Sequence, residues 1–349
     1  MTTSPTTTPA PPAVRRPASS RRRALGLVVC VLALVVVCVL SVTFGSRLVT
    51  WSDVVAGVLH PDPDDIAQAA VASRVPRTLL GLVVGAALGL AGAVLQGLTR
   101  NPLADPGILG VSFGASLAVV VGIAWFGLST LLGYVWVAFL GAAVTMAVVY
   151  AVGSVGRGGA TPLKLALAGA AVTAAVTSMI SMVLLTRTDV LETFRFWQVG
   201  SLGRAESAAI LTVAPFLVVG AVLAVAVARG LDALALGDDL ATGLGQHVGT
   251  VRVLGALAAV LLSGAAVAVA GPIAFVGLVM PHLARGFTGP SHRWVLPYSA
   301  AFGAVLLVAA DVLGRVVARP QELQVGIMTA LLGAPVLIAI VRRTKVREL

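Results

Sequence analysis

The sequence has 349 residues, 58% of them hydrophobic and only 11% charged, with mean hydropathy +1.01. An ordinary globular domain carries about a quarter charged residues, so this chain has too few to cover a water-soluble body of its size and reads as an integral membrane protein. The net charge of +10 is dispersed between apolar runs; that pattern argues against nucleic acid as a partner and for charge that sets orientation in a lipid bilayer.

Residues 1–23, rich in Thr, Pro and Ser and closed by Arg21-Arg22-Arg23, read as a disordered basic cytoplasmic arm. The apolar run 24–44 is too long for a signal peptide and lacks a small-residue cleavage site, so it reads as a retained span. It holds both cysteines, Cys30 and Cys38, which form no metal motif. Further runs of spanning length are 79–98, 108–126, 131–153, 163–185, 208–228, 253–270, 295–314 and 325–341, and a shorter one covers 272–284. Charge decides whether the short run crosses. With ten crossings and a cytoplasmic N-terminus, 16 of the 24 basic residues lie inside; with nine, the split becomes even. The positive-inside rule therefore predicts an all-α domain of ten transmembrane helices over 24–341, a cytoplasmic tail at 342–349 and both termini inside. The long connections are then 45–77 and 186–207 outside and 229–252 inside.

Absences narrow the chemistry. No G-x-x-x-x-G-K-[ST] occurs, so the chain cannot cradle nucleotide phosphates in a P-loop; no HExxH or CxxC occurs, and no catalytic, metal or cofactor site is expected. No run centre carries an ionisable residue, although ion-coupled carriers usually keep one there. Energy is expected from another polypeptide. The second span repeats Gly81, Gly85, Gly89, Ala93 and Gly97 at four-residue spacing, a small-residue stripe suited to close helix packing beside a pathway. Gln96 is the lone polar amide in that run and is expected to serve a neighbouring backbone. Asn101-Pro102 and Asp105-Pro106 force a rigid turn. Of the histidines, His282 reads as structural, and His60, His247 and His292 as solvated.

Arg74-Val75-Pro76-Arg77, the glycine-rich helix ending at Gln96, and Asn101-Pro102-Leu103-Ala104-Asp105-Pro106 with Gly110–Ala115 closely resemble the iron-siderophore/vitamin B12 (FecCD-type) ABC importer permease family. Gly271-Pro272-Ile273-Ala274-Phe275-Val276-Gly277-Leu278 with Pro281-His282 and Arg285 resembles its second signature, as do Asp311 with Arg315 and Glu322–Ile327. The resemblance implies a type II importer architecture: two permease subunits, alike or different, around one pathway, two cytoplasmic ATPase subunits below and an extracytoplasmic substrate-binding protein above. It implies that Arg74, Arg77 and Arg315 receive carboxylates of the binding protein. It also implies that Gly237, Asp238, Asp239, Leu240, Ala241, Leu244 and Gly245 in the inner loop form coupling helices seated in the ATPase; without the resemblance, they read as two short solvated helices. The implied cargo is a ferric siderophore, with cobalamin or haem as the alternative and an ion-coupled carrier as the remoter one.

Overall fold

The computed structural model describes residues 20–107, 110–156 and 161–345, and every regular element among them is a helix. In chain order these are α1 (Ser20–Thr43), α2 (Trp51–Leu59), α3 (Ile66–Thr99), α4 (Val111–Phe126), α5 (Leu131–Ser154), α6 (Pro162–Thr186), α7 (Thr188–Gln198), α8 (Ser207–Leu234), α9 (Asp238–Gly243), α10 (Val248–Ala270), α11 (Val276–Thr288), α12 (His292–Val317) and α13 (Val325–Lys345). Each apolar run read from the sequence falls on one helix, and α2, α7 and α9 lie in the connections. Among the described residues, seven helices are long and apolar enough to cross a membrane, with Val111–Phe126 and Val325–Ala339 as shorter apolar helices. Most of the basic arm (1–19), Ile108, Arg157 and the tail end 346–349 fall outside the described residues.

The outer surface explains the composition. On α1, Leu25, Val28, Leu32, Val36 and Val39 are exposed; on α5, Trp136, Leu140 and Val144; on α8, Leu211, Val218 and Val222. Water would penalise so continuous an apolar belt, whereas hydrocarbon accepts it, with the backbone groups satisfied inside each helix.

The largest differences from the sequence reading lie at the second span and in two connections. The second span begins at Ile66 rather than 79, with Asp65 accepting from the backbone N–H groups of Ala67 and Gln68 as N-cap. Its 34 residues reach about 51 Å, well past a hydrocarbon core of about 30 Å. Arg74 and Arg77 therefore sit inside a helix, not before one. The outer connection 45–77 also holds α2, closed by a Thr50–Asp53 capping box. In the inner connection, α8 runs on to Leu234 and α10 starts at Val248, leaving one short helix, α9, in place of two.

The core is a seam between α3 and α12. A β-carbon at Gly85 would strike the carbonyl of Gly303, and one at Gly303 the carbonyl of Gly85; at Gly89 it would strike Ser299. A β-carbon at Gly81 would lie 3.0 Å from Val308 Cγ2. Only glycine lets these two backbones touch, so the stripe serves close packing. The short α11 is anchored to the same helix. Pro281 lacks the N–H that would bond the carbonyl of Gly277. Gln96 Nε2 supplies that donor at 3.2 Å, donates also to Leu278 O (3.0 Å) and Ala104 O (3.3 Å), and its Oε1 accepts from Arg285 at 2.6 Å.

Candidate functional site

The three arginines singled out from the sequence converge at the end of the bundle where α1 stops and α3 is in its first turns. The Arg77 guanidinium forks onto Asp311, with NH2 donating at 2.8 Å and Nε at 3.1 Å, while NH1 reaches Glu322 Oε2 at 2.7 Å. Arg315 Nε lies 3.0 Å from Asp311 Oδ2, one turn back on α12, and its two terminal nitrogens donate to Ser41 O (3.0 Å) and Ser41 Oγ (2.8 Å). The Arg315 and Asp311 side chains are 1% and 2% exposed. Arg74 donates to the carbonyls of Val42 (3.0 Å), Thr43 (2.9 Å) and Arg47 (3.0 Å), satisfying groups that the end of α1 leaves open. Ser46 Oγ donates to Glu322 Oε1 at 2.9 Å. Burial alone would raise the Glu322 carboxyl, but the hydrogen bond and charge of Arg77, with Ser46, hold it below the usual carboxylate range.

Intrachain bonding limits how these three cations could meet a partner. Arg74 and Arg315 are buried, and all three guanidinium groups are engaged within the chain. They nevertheless line a cavity of about 150 Å³ together with Arg47 and Glu322. Four guanidinium groups face two carboxylates there, Glu322 at the wall and Asp311 behind it, so the cavity keeps a positive excess. Arg319 Nε donates to Gly45 O at 2.8 Å.

At the other end of α3, Gly237 (φ +109) and Gly245 (φ +81) turn the chain into and out of α9 through left-handed backbone that favours glycine. Asp238 holds α9 in place: it accepts from Arg252 of α10 at 2.7 Å and from Arg100, the cap of α3. Ala241 is buried beneath the helix, while Leu240 (61%) and Leu244 (64%) are exposed. Asp239 is exposed in the first turn. Beside this loop, His292 is buried rather than solvated. Asp232 Oδ1 accepts from its backbone N–H (2.8 Å) and pairs with its Nδ1 (2.6 Å), and a β-carbon at Gly97 would come within 2.6 Å of its Nε2.

A third feature carries no motif in the sequence. A cavity of about 330 Å³ lies between α4, α6 and the end of α7, with Ser112, Ser116, Thr177, Ser181, Gln198 and Asp105 as its polar lining. None of Gly81, Gly85, Gly89, Gln96, Gly97, Asn101 or Pro102 lines it, so their pathway role is not what this cavity supports. The turn that begins with Asn101-Pro102, whose Asn101 Oδ1 accepts from Leu103 N at 2.9 Å, does not stay at the helix end. Asp105 Oδ2 would lie 3.0 Å from a β-carbon on Gly277, and Gly277 packs on Gly92. At 1.5 Å per residue, Gly92 is about 10 Å inside the end of α3. Asp105 Oδ1 accepts from Gly107 N at 2.8 Å.

Comparison with known proteins agrees with this architecture along nearly the whole chain. A family model described as the FecCD transport family matches residues 33–343. The ferric enterobactin transport system permease protein FepD of Escherichia coli (strain K12) is 43% identical over 92% of this chain and 96% of its own length. The probable siderophore transport system permease protein YfiZ of Bacillus subtilis (strain 168) is 45% identical over 77% of this chain and 81% of its own. A solved structure of an inward-facing metal-chelate type ABC transporter superposes with a TM-score of 0.79 at 29% identity, covering 92% of this chain and 99% of that one. With the motifs, the helix order and these matches in agreement, the chain is a multi-pass membrane protein that belongs to the FecCD transport family.

Proposed function

We propose that this chain is the permease subunit of an ATP-driven importer for a ferric siderophore. In this reading, 24–341 is one permease domain in which α1, α3, α4, α5, α6, α8, α10, α11, α12 and α13 cross the membrane. The arm and the tail lie in the cytoplasm. A second permease subunit, the same chain or a paralogue, completes the pathway. Two ATPase subunits bind below, and a substrate-binding protein docks above. The observation that carries the reading is the 43% identity to the ferric enterobactin permease over nearly the full length of both chains.

Three local features support the division of labour. The exposed Leu240 on the short helix pinned by Asp238, with the exposed Leu244 capping its end, suits a knob seated in an ATPase subunit, since bare leucines on a water-facing loop call for a cover. The positively biased cavity walled by Arg47, Arg74, Arg77 and Arg315 suits an acidic side chain from a docking protein, because guanidinium groups pair bidentately with carboxylates. The cavity between α4 and α6, largely apolar but carrying Ser112, Ser116, Thr177, Ser181 and Gln198 on its wall, suits passage of a chelate with both apolar and polar surface.

The test is uptake into cells lacking the chromosomal gene and complemented with this chain and its partner subunits. Ferric siderophores should restore iron uptake, with ATP required and a proton uncoupler harmless in ATP-loaded vesicles. Restoration of cobalamin or haem uptake alone would replace the siderophore reading; uptake driven by an ion gradient without ATP would remove the importer reading.

A further inference from the structure

Outside the regions above, a trough of about 420 Å³ lies between the start of α1 and the α11–α12 pair. Its floor is aromatic: Phe302 packs edge-on against both Phe287 (5.8 Å between ring centroids) and Tyr298 (5.6 Å). Gly26, Val29 and Cys30 of α1 form the facing wall. Gly26 is there because a β-carbon would strike the Tyr298 hydroxyl, which donates to the Arg23 carbonyl at 2.6 Å and ties α1 to α12. Val29 is 59% exposed, so the trough opens onto the outside of the bundle.

The trough is apolar along its length and cationic at one end. The Arg23 guanidinium lies 5.8 Å over the Trp294 ring, and its Nε is buried without a hydrogen-bond partner. A buried guanidinium N–H left unmade is costly, so this end calls for an acceptor, preferably an anion. Arg21, two residues earlier on α1, is exposed. The preceding arm is a poor occupant, because Arg15 and Arg16 would bring more positive charge to the same place. A small aqueous solute is also a poor one, because the rest of the wall offers it no polar partner. A basic end on an apolar groove between spanning helices is the pattern that holds acidic lipid headgroups.

We propose that this trough is a binding site for one anionic phospholipid, its phosphate on Arg23 and an acyl chain along Val29, Phe287 and Phe302. The lipid fills the gap between α1 and the rest of the bundle. The proposal is independent of cargo and ATP; only the leaflet that supplies the lipid rests on the orientation proposed above.

The test is native mass spectrometry of the purified importer after exchange into phosphatidylglycerol or phosphatidylcholine, counting lipid per assembled particle. The wild type should retain phosphatidylglycerol and not phosphatidylcholine. Arg23→Gln, which removes the charge, and Val29→Trp, which fills the trough, should each lower retention at least fivefold. A photoreactive residue in place of Val29 should crosslink to phospholipid in native membranes. Equal retention of the two lipids, or retention unchanged in both variants, overturns the site. A crosslink to residues 1–19 instead gives the trough to the arm and overturns it as well.

Discussion

The two ends of α3 use charge in opposite ways. At the end near α1, Arg74, Arg77 and Arg315 are buried with Asp311 and Glu322, and their donors are spent on four separate parts of the chain. At the other end, a single carboxylate, Asp238, holds α9 to α3 and α10, and Leu240 on the helix and Leu244 at its cap turn outward. The first region is a finished joint whose cations face a partner only through a cavity. The second leaves Leu240 and Leu244 uncovered within this chain. A family role carried onto a residue type therefore does not reveal whether that residue is free to perform it; its bonds do.

The comparison breaks hardest at Arg315. Arg315→Glu places an acid against Asp311 at a buried site, and losing one partner of a buried pair costs about 3–5 kcal/mol. The variant should fail to accumulate or should melt far below wild type in detergent. Arg74→Ala should cost less, about 1–3 kcal/mol, because it leaves carbonyls of α1 and the following segment without donors. Hydrogen exchange over 40–47 should rise while the rest of the bundle holds. Arg47→Glu tests the cavity without touching the joint, since Arg47 is exposed. It should leave melting unchanged yet weaken binding-protein affinity by about tenfold, or about 1.4 kcal/mol. Raised salt should weaken wild-type docking in the same direction, because rim charges are screened.

The mildest handle on the joint is pH. Glu322 is held below its ordinary range, so its ion pair with Arg77 is fully present above the unfolded value of about 4.3 and disappears as pH falls through the lower folded value. Acid titration should loosen the segment around Ser46 in the wild type, and Glu322→Gln should abolish that step. A titration identical in both would remove Glu322 from the joint.

Much of this was legible in the sequence, and the limits have physical reasons. The ten apolar runs were readable because hydrocarbon demands long uninterrupted stretches, and the Gly81–Gly97 stripe because helix contact repeats every four residues. The Asp311–Arg315 pair was visible as neighbours one turn apart. Arg77 was not readable in the same way, because Asp311 lies 234 residues away. Nor was Arg74, whose partners are backbone carbonyls that carry no sequence signal. His292 read as solvated because Asp232 is 60 residues off. The depth of Asp105 depends on how its turn folds back on Gly277, a tertiary fact. Gln96 offered a usable clue: a buried amide in one span and Pro281 in another are complementary defects.

The central claim is that this permease takes its power through α9, and one reconstitution tests it most directly. The complete importer carrying Leu240→Asp with Leu244→Asp would be assayed for uptake, with permease melting and binding-protein docking measured alongside. Both leucines are exposed, so the permease's own stability should stay within about 0.5 kcal/mol per change. The account predicts unchanged melting, unchanged docking and at least a tenfold fall in ATP-driven uptake. Wild-type uptake in that variant would contradict it.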